Sequence, residues 1–85
     1  MILNRWNCEK HIYEPYEIPD KWKCLTYERD LNEEVNCPHC GRVIKFADSY
    51  TSLEFHTDLG FGYAVCEQCY NKEWERRHKN KKEEL

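Results

Sequence analysis

The stretch YAVCEQCYNKEWERR, residues 63–77, sets two cysteines against the start of a helical pattern, and CPHCG at 37–41 repeats the same two-residue gap. Downstream of Cys69 the composition favours helix, in YNKEWERRHKNKKEEL. Tyr70 and Trp74 fall four apart as an apolar face, and Glu73–Arg77 and Glu75–Lys79 are spaced as surface ion pairs. Beyond Trp74 the apolar face nearly vanishes until Leu85, so the helix is expected to be anchored by its first turns and to fray at its far end. Upstream, SYTSLEFHT (49–57) alternates, with Thr51, Leu53 and Phe55 on one side and Tyr50, Ser52, Glu54 and His56 on the other. FGYAV (61–65) alternates as well, and Asp58–Gly60 between them has turn chemistry, so 49–65 reads as a β-hairpin.

An 85-residue chain that is 34% charged cannot rely on a large hydrocarbon core. Small folds of this size use staples, and six cysteines are present. The pairs Cys37/Cys40 and Cys66/Cys69 are separated by 25 residues. Each pair can reach one ion while backbone amides of its turn donate to the sulfurs, and two pairs close a tetrahedral Zn²⁺ shell with no open position. A closed shell of four thiolates is structural. One Zn²⁺ held by Cys37, Cys40, Cys66 and Cys69 is therefore expected to supply folding energy, on the order of 10 kcal/mol. Two disulfides or a redox Cys-x-x-Cys are the competing readings. The first fits poorly with an N-terminus, MILNRWNCEK, that lacks a secretory pattern, and the second with the missing βαβ context. Reduced thiols point to a cytoplasmic protein.

The order of a CPHC turn, a hairpin and a second pair at a helix entrance resembles that of treble-clef zinc fingers, over residues 37–80. The resemblance implies an α+β fold: zinc knuckle, β-hairpin and C-terminal helix. It also implies a scaffold rather than an activity, since treble clefs serve protein docking, DNA binding and nuclease chemistry alike. More loosely, the chain is similar to small zinc-finger proteins of bacterial and phage genomes, a likeness that carries no activity.

Residues 1–36 form an aromatic, acidic extension expected to pack on the 37–85 finger as part of one structural domain. Pro15 and Pro19 exclude a continuous helix there and leave turns and extended pieces. KWKCLTY (21–27) alternates and reads as a short strand, while ERDLNEEVN (28–36) is compatible with a helical turn or a loop. Cys8 and Cys24 are expected as free or buried thiols. A second metal site with His11 and His39 is the sharper reading of the same residues.

Net charge is −3, with eight acids to five bases in 1–36, three to two in 37–66 and five to six in 67–85. Four zinc-bound thiolates would add −2. Such a balance argues against an electrostatically driven nucleic-acid binder, leaving only RRHKNKK (76–82) as a basic run. The aromatic set Trp6, Tyr13, Tyr16, Trp22 and Tyr27 is expected to wrap the hairpin and helix as core, with exposure of a minority as docking anchors as the alternative. Non-catalytic protein docking is the expected function, as an adaptor or inhibitor, with nucleic-acid binding by the C-terminal helix as the alternative. His56 and His78 near this frame suggest an HNH-like metal-dependent nuclease as a third reading. Its pattern is incomplete, since Glu54-Phe55 precedes His56 where the family has an acid beside the histidine, and only nine residues separate His56 from Cys66.

Overall fold

The computed structural model describes residues 1–83, with side chains from 1 to 78. The chain opens with a hairpin that the sequence pattern did not announce. Strand β1 (Ile2–Asn7) pairs antiparallel with β2 (Ile12–Glu17), and Asn7 organises the turn between them. Its side-chain oxygen accepts from the Glu9 and Lys10 amides, its carbonyl accepts from His11, and His11 takes the left-handed conformation at φ 56°. Pro15 is tolerated because β2 is an edge strand, where a missing N–H can face away from the partner.

Next come β3 (Glu34–Asn36) and β4 (Val43–Lys45), a separate antiparallel pair. A 3₁₀ turn (Phe46–Asp48) leads to β5 (Tyr50–His56), β6 (Gly62–Val65) and the helix α1 (Glu67–Glu83). The larger sheet has the order β2-β1-β5-β6. The expected hairpin over 49–65 is therefore present, with Gly60 at φ +89° in its turn. The region is α+β, with hairpins and one C-terminal helix.

Three expectations need correction. The strand read over 21–27 does not form. The alternation shows in burial, with Cys24 buried and Lys23 and Tyr27 exposed, but no ladder develops. The segment is wedged between β3 and β6, taking one backbone bond from each: Ala64 N–H to the Leu25 carbonyl and Asn36 N–H to the Lys23 carbonyl. Second, β5 does not alternate cleanly. The Ser52 hydroxyl accepts from the Glu54 and Phe55 amides, the register slips between Thr51 and His56, and Ser52, Glu54 and Phe55 are all buried. Third, Trp74 is not an anchor: it is 47% exposed and stacks on His78, while Glu73 beside it is fully buried. The Lys79 side chain of the expected Glu75–Lys79 pair, and residues 84–85 at the end expected to fray, lie outside the described residues.

Two apolar clusters result. Leu3, Ile18, Cys24 and Phe55 pack together under Tyr16, Trp22 and Tyr63. Cys37, Val65 and Cys66 form the other, with Ile44, Cys69 and Tyr70 against them. β5 runs between them, presenting Phe55 to the first and leading through the hairpin to Val65 and Cys66 in the second.

Candidate metal centre

Three local structures deliver the four thiols: one turn, the end of a strand and the start of a helix. Cys37 and Cys40 sit in the turn between β3 and β4, whose ends are fixed by the Asn36↔Val43 pairing. Within that turn Cys37 N–H donates to Arg42 O and Gly41 N–H to Cys37 O at 2.7 Å, while the Asn36 amide holds the Gly41 carbonyl. Gly41 is required there: its φ is +75°, and a Cβ would overlap the indole of Trp22. Cys66 follows β6 directly. Its carbonyl accepts from Tyr70 N–H and starts α1, which puts Cys69 in the first helical turn.

The four sulfurs lie within 4.8 Å of one another, with Cys40 and Cys66 at 3.8 Å. A tetrahedron with metal–sulfur arms of about 2.3 Å has edges of about 3.8 Å, so the spacing fits one ion. It does not fit disulfides, which need sulfurs about 2.05 Å apart, and all six cysteines are free thiols. Cys37 and Cys66 are buried, Cys69 is half-buried and Cys40 reaches the surface. Taken as bare thiols, Cys37, Cys66 and Cys69 are in competition for negative charge. Burial pushes Cys69 and Cys37 up, while at Cys66 hydrogen bonds from the Cys69 backbone and the neighbouring thiols outweigh burial and bring it down. A divalent cation would resolve that competition by favouring thiolate at every position.

Beside the thiols stands a second group that the sequence reading missed. His39, Glu54 and Glu73 converge within 4.8 Å. Glu73 accepts from His39 Nε2 at 2.6 Å, from the Ser52 hydroxyl at 2.5 Å and from the Leu53 amide at 2.8 Å. Burial opposes its charge, but these donors prevail and hold its carboxyl below the usual range. Glu54 accepts a two-pronged bond from Arg76, at 2.9 and 2.6 Å, with Arg5 at 3.7 Å. The carboxylates are thus satisfied by protein donors, and the Arg76 guanidinium already supplies positive charge at Glu54. The group is a polar lock rather than a metal site. The expected Glu73–Arg77 surface pair is replaced by it. A signal was available: Glu73 is four residues beyond Cys69 and Arg76 seven, which places all three on one face of the helix.

The remaining candidates are scattered. Cys24 lies in the hydrocarbon cluster, where burial pushes its thiol up to about 11, and Cys8 lies in the β1–β2 turn with His11. Neither joins a group of metal-ligating side chains among the described residues. His56 shares a hydrogen bond with the Tyr13 hydroxyl at 3.2 Å and sits beside Trp6, Leu53 and Arg77. His78 donates to the Trp74 carbonyl and stacks on that indole. Of the basic run, Arg76 is committed to Glu54, and the side chains from Lys79 on lie outside the described residues. Among known proteins, no family model, curated protein or solved structure matches the chain.

Proposed function

We propose that the protein is a non-catalytic, zinc-ordered docking module of the cytoplasm, with a treble-clef arrangement made of the β3–β4 knuckle, the β5–β6 hairpin and α1. The observation that carries the zinc is the tetrahedral spacing of the Cys37, Cys40, Cys66 and Cys69 sulfurs. A closed sulfur shell leaves no position for substrate, so the ion orders the fold and the surface does the work. Native mass spectrometry is expected to show one zinc per chain, and a folded, metal-free protein overturns the reading.

Docking is supported by a groove of about 220 Å³ lined by Leu31, Phe46, Ala47, Tyr50, Thr51 and Ala64 among others. It continues past Tyr50 towards Asp48 and Glu67, and no basic side chain lines either part. Leu31 and Tyr50 are exposed there, 58% and 42%. An apolar floor with carboxylates at one end suits a protein segment that pairs an apolar anchor with a basic residue, and repels phosphates. In a nuclease-treated lysate of the native host, the wild type is expected to retain a protein that Leu31→Arg and Tyr50→Glu release. Capture that nuclease abolishes favours the nucleic-acid reading instead.

A further inference from the structure

We propose that Glu73 is a positioning residue for the thiol centre: through His39 it holds the Cys37–Cys40 turn against the helix that carries Cys69. This rests on the zinc reading above and adds to it a determinant of affinity outside the four ligands.

The four sulfurs come from structures that share little backbone. The knuckle belongs to the small β3–β4 sheet, whereas Cys66 and Cys69 belong to the end of β6 and the start of α1. Besides the ion and the packing of Cys37 and Ile44 against Val65, Cys69 and Tyr70, a polar contact can hold the knuckle in register with the helix. Glu73 is the side chain placed to do so. It rides on α1 one turn past Cys69, has no exposed surface, and takes donors from both sides of the joint. His39, which lies between Cys37 and Cys40 in the sequence, donates from the knuckle, while Ser52 and the Leu53 amide donate from β5. His39 cannot swing freely, because its ring lies edge-on to Phe55 with centroids 4.6 Å apart. Knuckle, sheet and helix therefore converge on one carboxylate. A buried carboxylate is costly unless its lone pairs are filled, so the three-way arrangement is mutually enforcing. Partners that orient a metal centre from outside its ligands are worth roughly 10- to 100-fold in affinity when removed.

The test titrates Co²⁺ and then Zn²⁺ into the full chain, reading the thiolate-to-cobalt absorption and the d–d bands. His39→Phe keeps the ring packed on Phe55 but removes the donor, and Glu73→Gln keeps the shape but not the charge. Both are expected to weaken Zn²⁺ binding by about 10- to 100-fold and to shift the d–d bands. Combining them should cost no more than the worse single change, because both break one contact. His39→Gln restores an N–H near the position of Nε2 and is expected to recover much of the affinity, which also covers the case in which His39→Phe does not fold. Arg76→Met cuts the neighbouring bond to Glu54 and should leave the d–d bands in place. Unchanged bands and affinity in His39→Phe, or a His39→Gln variant as poor as His39→Phe, overturn the proposal while leaving the zinc reading intact. A wild type with no thiolate-to-cobalt absorption overturns both.

Discussion

The two halves of this molecule solve one problem, how to bury enough of a short chain, with different chemistry. Around Leu3, Ile18, Cys24 and Phe55 the solution is hydrocarbon, enclosed by the β1–β2 hairpin and a ring of aromatics. Around Cys37, Val65 and Cys66 it is largely sulfur, with Val65 and Ile44 as the aliphatic members of the cluster. The first cluster is held by contacts that exist whenever the chain is folded. The second brings four thiols within reach of a single cation, which would draw them together as thiolates. The difference teaches where an 85-residue chain places its dependence on the environment: in the half that carries the helix.

The largest effect expected is on that dependence. Chelation, or Cys66→Ser, should remove on the order of 10 kcal/mol of binding free energy from the sulfur half. Hydrogen exchange should then show protection collapsing in 34–46 and 66–72 before it falls in β1 and β2. Simultaneous collapse would mean that the two clusters are one cooperative unit. Phe55→Ala attacks the other half and is expected to cost about 3–5 kcal/mol in denaturant unfolding of the zinc-loaded protein. Gly41→Ala is expected to cost at least about 1–2 kcal/mol, from the left-handed backbone alone, and more as Trp22 is displaced. Because Gly41 lies in the knuckle and Trp22 packs on the hydrocarbon cluster, this variant should perturb both regions at once.

The smallest effect is a pH dependence at the seam. Burial, aided by Arg77 and opposed by Glu73, holds His56 below its ordinary value. As pH falls through the usual histidine range the unfolded chain takes up a proton that the folded chain refuses, so stability declines. The decline stops below the folded value. His56→Gln should remove that slope, measured as the difference from wild type between pH 5 and 7.5 with zinc bound.

Much of the sulfur half was legible in the sequence, because Cys-x-x-Cys spacing and the switch from period 2 to helical period are strong local signals. The hairpin at 50–65 and the helix from Glu67 stand where those signals point. The hydrocarbon half was harder to read. Its β1–β2 turn, CEKH, has none of the usual Gly or Asn-Gly chemistry, and depends instead on Asn7 from outside the turn. Pro15 and Pro19 left only turns and extended pieces to be read there, and nothing local marked β2 as the edge strand that tolerates Pro15. The polar lock was misread because Glu73 and Arg77 match a surface ion-pair rule, while burial of a glutamate depends on donors 20 and 34 residues away.

The close approach of the Trp22 ring to Gly41 gives the knuckle a built-in optical reporter. An indole pressed on the turn that bears Cys37 and Cys40 will change its emission whenever that turn loosens. With Trp6 and Trp74 replaced by phenylalanine, the remaining Trp22 emission is expected to follow occupancy of the sulfur centre without any added dye.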